Sequence, residues 1–287
     1  MELRYRILNV FAVEGDRLSG NPLCVFEDGR GLEDRVMQAL ARQLNLSETT
    51  FLLPATRPDA TARARIFTPD FELPFAGHPT LGTAHVVRAL AGAEASAGDR
   101  VALELAAGLV PVVAAGDRWT LTAARAPRVR APAASPDALA AMLGLPAGAV
   151  TRPRWVDTGV EQLVVPVRRG EDVAAARPDA ASLDRLARLP GGEAMAYVWA
   201  EVAPGRVVAR FFFMAGGGVV EDPATGSACA NLGGWHLAEG SPLPLRVAID
   251  QGRQAGRPSR LDLEVGADRA VRVSGLVVEL GRGALAI

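Results

Sequence analysis

Two stretches half a chain apart, HPTLGTAH (78–85) and DPATGSAC (222–229), decide how this chain is read. Proline, glycine and alanine recur at the same places, Pro79 with Pro223, Gly82 with Gly226 and Ala84 with Ala228, and Thr83 answers Ser227. Upstream, ARIF (64–67) answers ARFF (209–212), and LAR (40–42) answers LAR (186–188), in the same order and at nearly the same separation. Short matches arise by chance in an Ala-, Gly- and Arg-rich chain, but collinear ones point to an internal duplication. The sequence therefore predicts two similar α+β halves, each of ordinary domain size.

The first half supports this locally. EDRVMQALARQL (33–44) sets Val36, Leu40 and Leu44 on one helical face between the strand-like LCVF and TTFLL. Both repeated stretches read as helix starts, with His78 and Asp222 as N-caps before a proline whose missing N–H suits a first turn. Gly82 and Gly226 leave room for close approach by a backbone or a ligand. If the halves pack face to face, both helix starts meet in one cleft, where unpaired N–H groups and two helix dipoles would hold a carboxylate. A linker is expected near AAGDRW (114–119), dividing the chain into 1–116, with a C-terminal strand 275–287 returning to it, and 117–274.

Composition removes several chemistries. The 287 residues carry 31 basic and 32 acidic side chains, a net charge of −1, with no basic block, so nucleic acid is not an expected partner. All of the basic residues are arginine. Without lysine there is no Schiff base, no lysine-anchored pyridoxal phosphate and no lysine-bearing phosphate loop. The only histidines, His78, His85 and His236, fall in no metal-ligand spacing, so neither a metal nor another cofactor is expected. Cys24 and Cys229 are too few for a disulfide scaffold; with no secretion signal and no membrane-spanning apolar run, a cytoplasmic protein is expected.

Glu48, in NLSETTFLL, stands where a helix gives way to an apolar strand. Aligned on the LAR and aromatic landmarks it falls opposite Ala194, with Phe51 opposite Tyr197, so the site carries one asymmetric acid. In a partly apolar cleft a glutamate gains proton affinity and can accept a proton and return it near neutral pH.

NVFA, GNPLCVF, LNLSETTF, FELPFAGHPTLGTA, GGVVEDPATGSA and QGRQAGRPS together carry a resemblance to the phenazine-biosynthesis isomerase (PhzF-like) family, running nearly end to end. That family shares the diaminopimelate epimerase fold. The resemblance implies an α+β protein of two pseudo-symmetric domains, each a curved, mostly antiparallel sheet wrapped around a central helix. It also implies a cofactor-independent isomerase of the trans-2,3-dihydro-3-hydroxyanthranilate type and a homodimer. Glu48 would shuttle the proton with His78 and Asp222 as catalytic partners, while Ser47, Gly77, Gly226 and Ser227 would bind a small carboxylate. Epimerase and racemase relatives place a cysteine at each helix entrance; His78 and Asp222 stand there here, which counts against two-cysteine racemisation. The competing readings are a binding protein without turnover and an amino-acid epimerase.

Overall fold

The computed structural model describes residues 1–92 and 99–287. The chain divides into two compact units, Met1–Thr122 with Ser274–Ile287, and Ala123–Val273. The expected linker, 114–119, is instead a β-turn inside the first unit, because Ala114 pairs with Trp119 and Ala115 with Arg118 across a tight hairpin.

The first unit runs β1 (Glu2–Ala12), β2 (Asn21–Phe26), α1 (Asp34–Leu44), β3 (Glu48–Leu53), β4 (Ala62–Phe67), β5 (Glu72–Leu73), α2 (Gly77–Ala91), β6 (Arg100–Leu105), β7 (Gly108–Ala115) and β8 (Arg118–Thr122). The second begins with β9 (Arg128–Arg130), α3 (Pro136–Met142), β10 (Arg154–Asp157), β11 (Glu161–Pro166), α4 (Gly170–Ala175), α5 (Ala180–Ala187) and β12 (Met195–Ala203). It continues through β13 (Arg206–Ala215), β14 (Gly218–Asp222), α6 (Gly226–Ala238), β15 (Leu245–Gln251), β16 (Ser259–Val265) and the start of β17 (Val271–Ala286). The rest of β17 belongs to the first unit, where it pairs antiparallel with β1 from Glu2↔Ala286 to Ala12↔Leu276.

One succession of pairings occurs twice. In the first unit β1–β2 is antiparallel, β2–β3 parallel, β3–β4 and β4–β5 antiparallel, β4–β6 parallel and β6–β7 antiparallel. In the second, β10–β11, β11–β12, β12–β13, β13–β14, β13–β15 and β15–β16 follow with the same senses. The sheets are thus mixed, and the parallel steps are bridged by helices, α1 between β2 and β3 and α5 between β11 and β12.

Strands β2 and β3 read as continuous apolar runs because both of their faces are covered. On one face Cys24, Phe26, Phe51 and Phe67 pack with Met37, Leu40 and Ala41 of α1. Those three are the buried residues of α1, so its inward face is wider than the expected Val36–Leu40–Leu44 stripe. Asn45, in the left-handed conformation at φ 52°, ends that helix and redirects the chain into β3. On the other face lies α2, which packs against β1, β2, β3, β4, β6, β7 and β8. Its Leu81, Ala84 and Val86 are wholly buried, and fully burying a side chain of leucine or valine size contributes about 1.5–3 kcal/mol. Gly82 is a packing residue: a Cβ there would lie 2.5 Å from Leu23 Cδ2 and 3.0 Å from Val10 Cγ2. Helix α6 holds the corresponding place in the second unit, against β9, β10, β11 and β16. Among the described residues no helix is long and apolar enough to cross a membrane.

Candidate active site

The ladders fix which residues of the two units correspond, and they correct the sequence alignment. Phe67 of ARIF pairs with Thr49, and Phe212 of ARFF pairs with Ala196. Glu48 therefore corresponds to Met195, one residue beyond the expected Ala194. On the other side of the same strands Phe67 pairs with Glu72 and Phe212 with Glu221. This matches ELPFAGHP (72–79) with EDPATGSA (221–228), so Pro74 answers Pro223, and Gly77 and Gly226 each open a helix. His78 corresponds to Ser227, and Asp222 to Leu73.

Neither expected N-cap holds that position. Ala76 is the N-cap of α2, which leaves His78 and Pro79 inside the first turn, where proline is tolerated because the first N–H groups lack intrahelical partners. Thr225 is the N-cap of α6, and Asp222 ends β14, where its carboxylate accepts a hydrogen bond from the Thr225 hydroxyl.

An ion pair sets both hairpins. Arg65 on β4 grips Glu72 on β5 through Nε and Nη2 at 2.7 and 2.6 Å, and Arg210 on β13 grips Glu221 on β14 at 3.0 and 2.6 Å. Each pair lies immediately before a helix entrance. The Arg210 guanidinium also donates to the carbonyls of Val173, Ala174 and Ala176, so its burial is matched by acceptors.

In the first unit Glu48 and His78 come together, His78 Nε2 lying 3.3 Å from Glu48 Oε2, with side chains only 5% and 15% exposed. The contact is not aligned as a hydrogen bond at Nε2. Burial pushes the His78 imidazole down to about 3, opposed by its hydrogen bond to the backbone of Pro22. Proline offers only a carbonyl, so His78 donates there, and the neutral ring turns a lone pair on its other nitrogen toward Glu48. A hydrogen bond of 2.8 Å between Thr50 and Thr83 ties β3 to α2 beneath this pair. Ser47 is exposed and donates to Asn21 Oδ1 at 3.1 Å; Gly77 is buried at the helix start.

In the second unit the entrance of α6 is held by QGRQAGRPS (251–259), one of the stretches that carry the family resemblance. Gln251 Nε2 donates to the Asp222 carbonyl at 2.9 Å and to Thr225 Oγ1 at 3.0 Å, while its Oε1 accepts from the Thr225 N–H at 3.4 Å. Gly252 follows with φ +80° and lies so close to the Pro223 backbone that a Cβ would come within 2.4 Å of its carbonyl oxygen. QGRQAGRPS is thus a brace for the helix entrance. Gly226 is buried at the first helical position and Ser227 is half-buried. Ser227 Oγ accepts from Gln162 Nε2 at 2.9 Å, and Gln162 in turn touches Asn231.

Both cysteines are free and buried. Burial pushes the Cys24 thiol up to about 12 and raises that of Cys229 as well, so both stay protonated and inert as nucleophiles. Among the described residues no three His, Cys, Asp or Glu side chains gather as a metal site.

The proteins that this chain is similar to in sequence are isomerases, and that likeness makes it one. The chain is 36% identical over 281 residues, covering 98% of it and 93% of the relative, to an uncharacterized isomerase of Pasteurella multocida. It is 37% identical over 272 residues, 90% of it and 88% of the relative, to trans-2,3-dihydro-3-hydroxyanthranilate isomerase of Pseudomonas aeruginosa. A crystal structure of a PhzF-family phenazine biosynthesis protein from Bacillus anthracis superposes with a TM-score of 0.85 over 100% of both chains; at 23% identity it speaks for the fold alone. The model of the phenazine biosynthesis-like protein family matches residues 8–283, and the chain belongs to that family.

Proposed function

We propose that this isomerase moves a proton between two carbons of a small, cyclic, carboxylate-bearing substrate without a cofactor, with Glu48 as the proton carrier. The observation that carries this reading is the Glu48–His78 contact: a largely buried carboxyl 3.3 Å from an imidazole that burial keeps neutral. A neutral imidazole already committed to Pro22 offers Glu48 an acceptor and no competing positive charge. Glu48 can then take a proton from one carbon, hold it as a carboxylic acid donating toward His78, and deliver it to another. A single residue serving as base and then acid needs an environment in which both forms are within reach, which partial burial supplies.

Asp222, Gly226 and Ser227 enter the proposal as substrate-holding residues, along with Ser47 and Gly77, on the family pattern. The relative from P. aeruginosa is named for an anthranilate-type ring acid, and a substrate of that class suits a helix N-terminus, whose dipole favours a carboxylate. A homodimer in the cytoplasm and descent from one duplicated domain, giving two pseudo-symmetric domains, belong to the same reading. The repeated ladder order and the repeated Arg–Glu pair support the duplication.

The test is solvent deuterium incorporation across a panel of small cyclic carboxylates. Wild-type protein is expected to place deuterium on carbon of at least one of them, and Glu48→Gln to bind that compound without exchange. Binding across the panel with no exchange by the wild type would leave a binding protein in place of an enzyme.

A further inference from the structure

Behind Ser227 runs a chain of buried amides whose direction is set by the backbone. Asn231, wholly buried in α6, accepts at Oδ1 from the Thr158 N–H at 3.0 Å and from the Thr158 hydroxyl at 2.7 Å. A backbone N–H can only donate, so this end of the amide is the oxygen. The other end, Nδ2, donates to the Val160 carbonyl at 2.8 Å, and a carbonyl can only accept. The same Nδ2 donates to Gln162 Oε1 at 2.9 Å. That places Gln162 Nε2 against Ser227 Oγ at 2.9 Å, as donor to acceptor. Flipping either amide would set donor against donor or acceptor against acceptor, so the orientation follows from the backbone groups at its far end.

We propose that Gln162 is a positioning residue: backed by Asn231 and Thr158, it commits the Ser227 hydroxyl to accept from the protein and donate its proton to an oxygen of the substrate. Among the described residues Ser227 has no other hydrogen-bond partner, and it is half-buried while Gln162, Asn231 and Thr158 are buried. A serine hydroxyl freed of this chain would be free to rotate among its staggered positions. The relay prevents that and spares the substrate the cost of ordering the rotor. The inference rests on the proposed role of Ser227 in holding a carboxylate.

The chain of contacts makes a specific energetic claim, that Gln162 acts on the ligand only through Ser227. The probe is 3-hydroxyanthranilate, a ring acid of the proposed class, with 2-aminophenol as the control lacking the carboxylate. Gln162→Leu and Ser227→Ala are each expected to weaken 3-hydroxyanthranilate binding about three- to tenfold, the range of one hydrogen bond. The double variant should bind no more weakly than Ser227→Ala, and 2-aminophenol should be bound equally by all four proteins. Additive losses, or equal losses for the control, would overturn the proposal, since a general disturbance of the α6 entrance adds and does not discriminate. In the ligand-free protein, Ser227→Ala should shift the Gln162 side-chain amide resonances, and an unmoved signal would overturn the relay whatever the substrate is. Failure of wild-type protein to bind either compound would count against the proposed substrate class, while that amide signal still decides the relay.

Discussion

At the residue after the entrance glycine, the first unit carries His78 and the second Ser227, and the two present opposite hydrogen-bonding faces. His78 donates to Pro22 and turns a lone pair toward Glu48, whereas Ser227 accepts from Gln162 and keeps its proton to give. The contrast continues one layer down. Leu23 pairs with Glu48, and the corresponding residue of the second unit is Gln162, beside Met195. Gly82 presses on Leu23 in one unit, and Asn231 reaches Gln162 from the corresponding helical position in the other. One succession of ladders thus carries Leu23 against Gly82 in one unit and the Gln162–Asn231 amide pair in the other. What the units share, the ladders, the Arg–Glu pair and the Pro–x–x–Gly entrance, fixes geometry; what they do not share is the chemistry.

The largest expected effect breaks this asymmetry at Glu48. Glu48→Gln keeps the shape and removes the proton acceptor, so turnover should fall by about 10² to 10⁴-fold with binding retained. Near-normal turnover would refute the assignment, and loss of turnover with retained binding in Asp222→Asn alone would move the proton carrier to the second unit. Next come the matched ion pairs. Arg210 and Glu221 are 6% and 13% exposed, so Arg210→Met, which strands a buried carboxylate, should cost about 3–5 kcal/mol in urea unfolding. Arg65 and Glu72 are 18% and 35% exposed, and Arg65→Met should cost no more than about 1 kcal/mol. Equal losses would show that the two hairpins are not differently buried in solution.

Gly82→Ala sharpens the contrast between the two helices. The added methyl must displace Leu23 in a filled core, a loss of about 1–3 kcal/mol. No loss would mean that α2 stands further from β2 than described. The smallest effect near neutrality is that of pH. Burial lowers His78, His85 and His236, so the unfolded chain takes up protons that the folded one refuses. Stability should be flat above about 6.5, the ordinary histidine value, and fall as pH drops from there toward the His78 value of about 3, at up to about 1.4 kcal/mol per pH unit for each histidine. His78→Asn should make that acid limb shallower, and an unchanged slope would show that His78 takes up its proton in the folded state.

Much of this was legible beforehand, and the failures have a physical cause. Strand-like LCVF and TTFLL, the α1 helix and the recurrence of ARIF as ARFF all reflect local periodicity and composition. The helix register was misread because Pro79 and Gly82 match Pro223 and Gly226 by identity, whereas correspondence is set by hydrogen bonds between strands. Those put Phe67 against Glu72 and Phe212 against Glu221. The usable signal was Glu–x–Pro–x–x–Gly at Glu72, Pro74 and Gly77 and again at Glu221, Pro223 and Gly226. The Gln162–Asn231 relay joins residues far apart in the chain, which no local pattern reveals. Its trace is a lone Asn inside the apolar ACANLGGW and a lone Gln before LVVP, since a polar residue in a wholly buried element must have a partner.

Strand β17 also bears on how the protein comes off the ribosome. From Ser274 on it lies later in the chain than the whole second unit, yet it is the neighbour of β1, so the first unit stays open along that edge until synthesis has passed through everything between. An open strand edge invites pairing with another chain, and β1 meets that hazard with Glu2, Arg4 and Arg6 alternating with Leu3, Tyr5 and Ile7. Arg6 already pairs with Glu27 at 2.6 Å beside β2, and once β17 arrives it gains Glu279 at 2.9 Å as well. Nascent chains stalled before Ser274 are therefore expected to hold a protease-resistant second unit beside a first unit still open to cleavage, and equal resistance of the two would show that β1 does not wait.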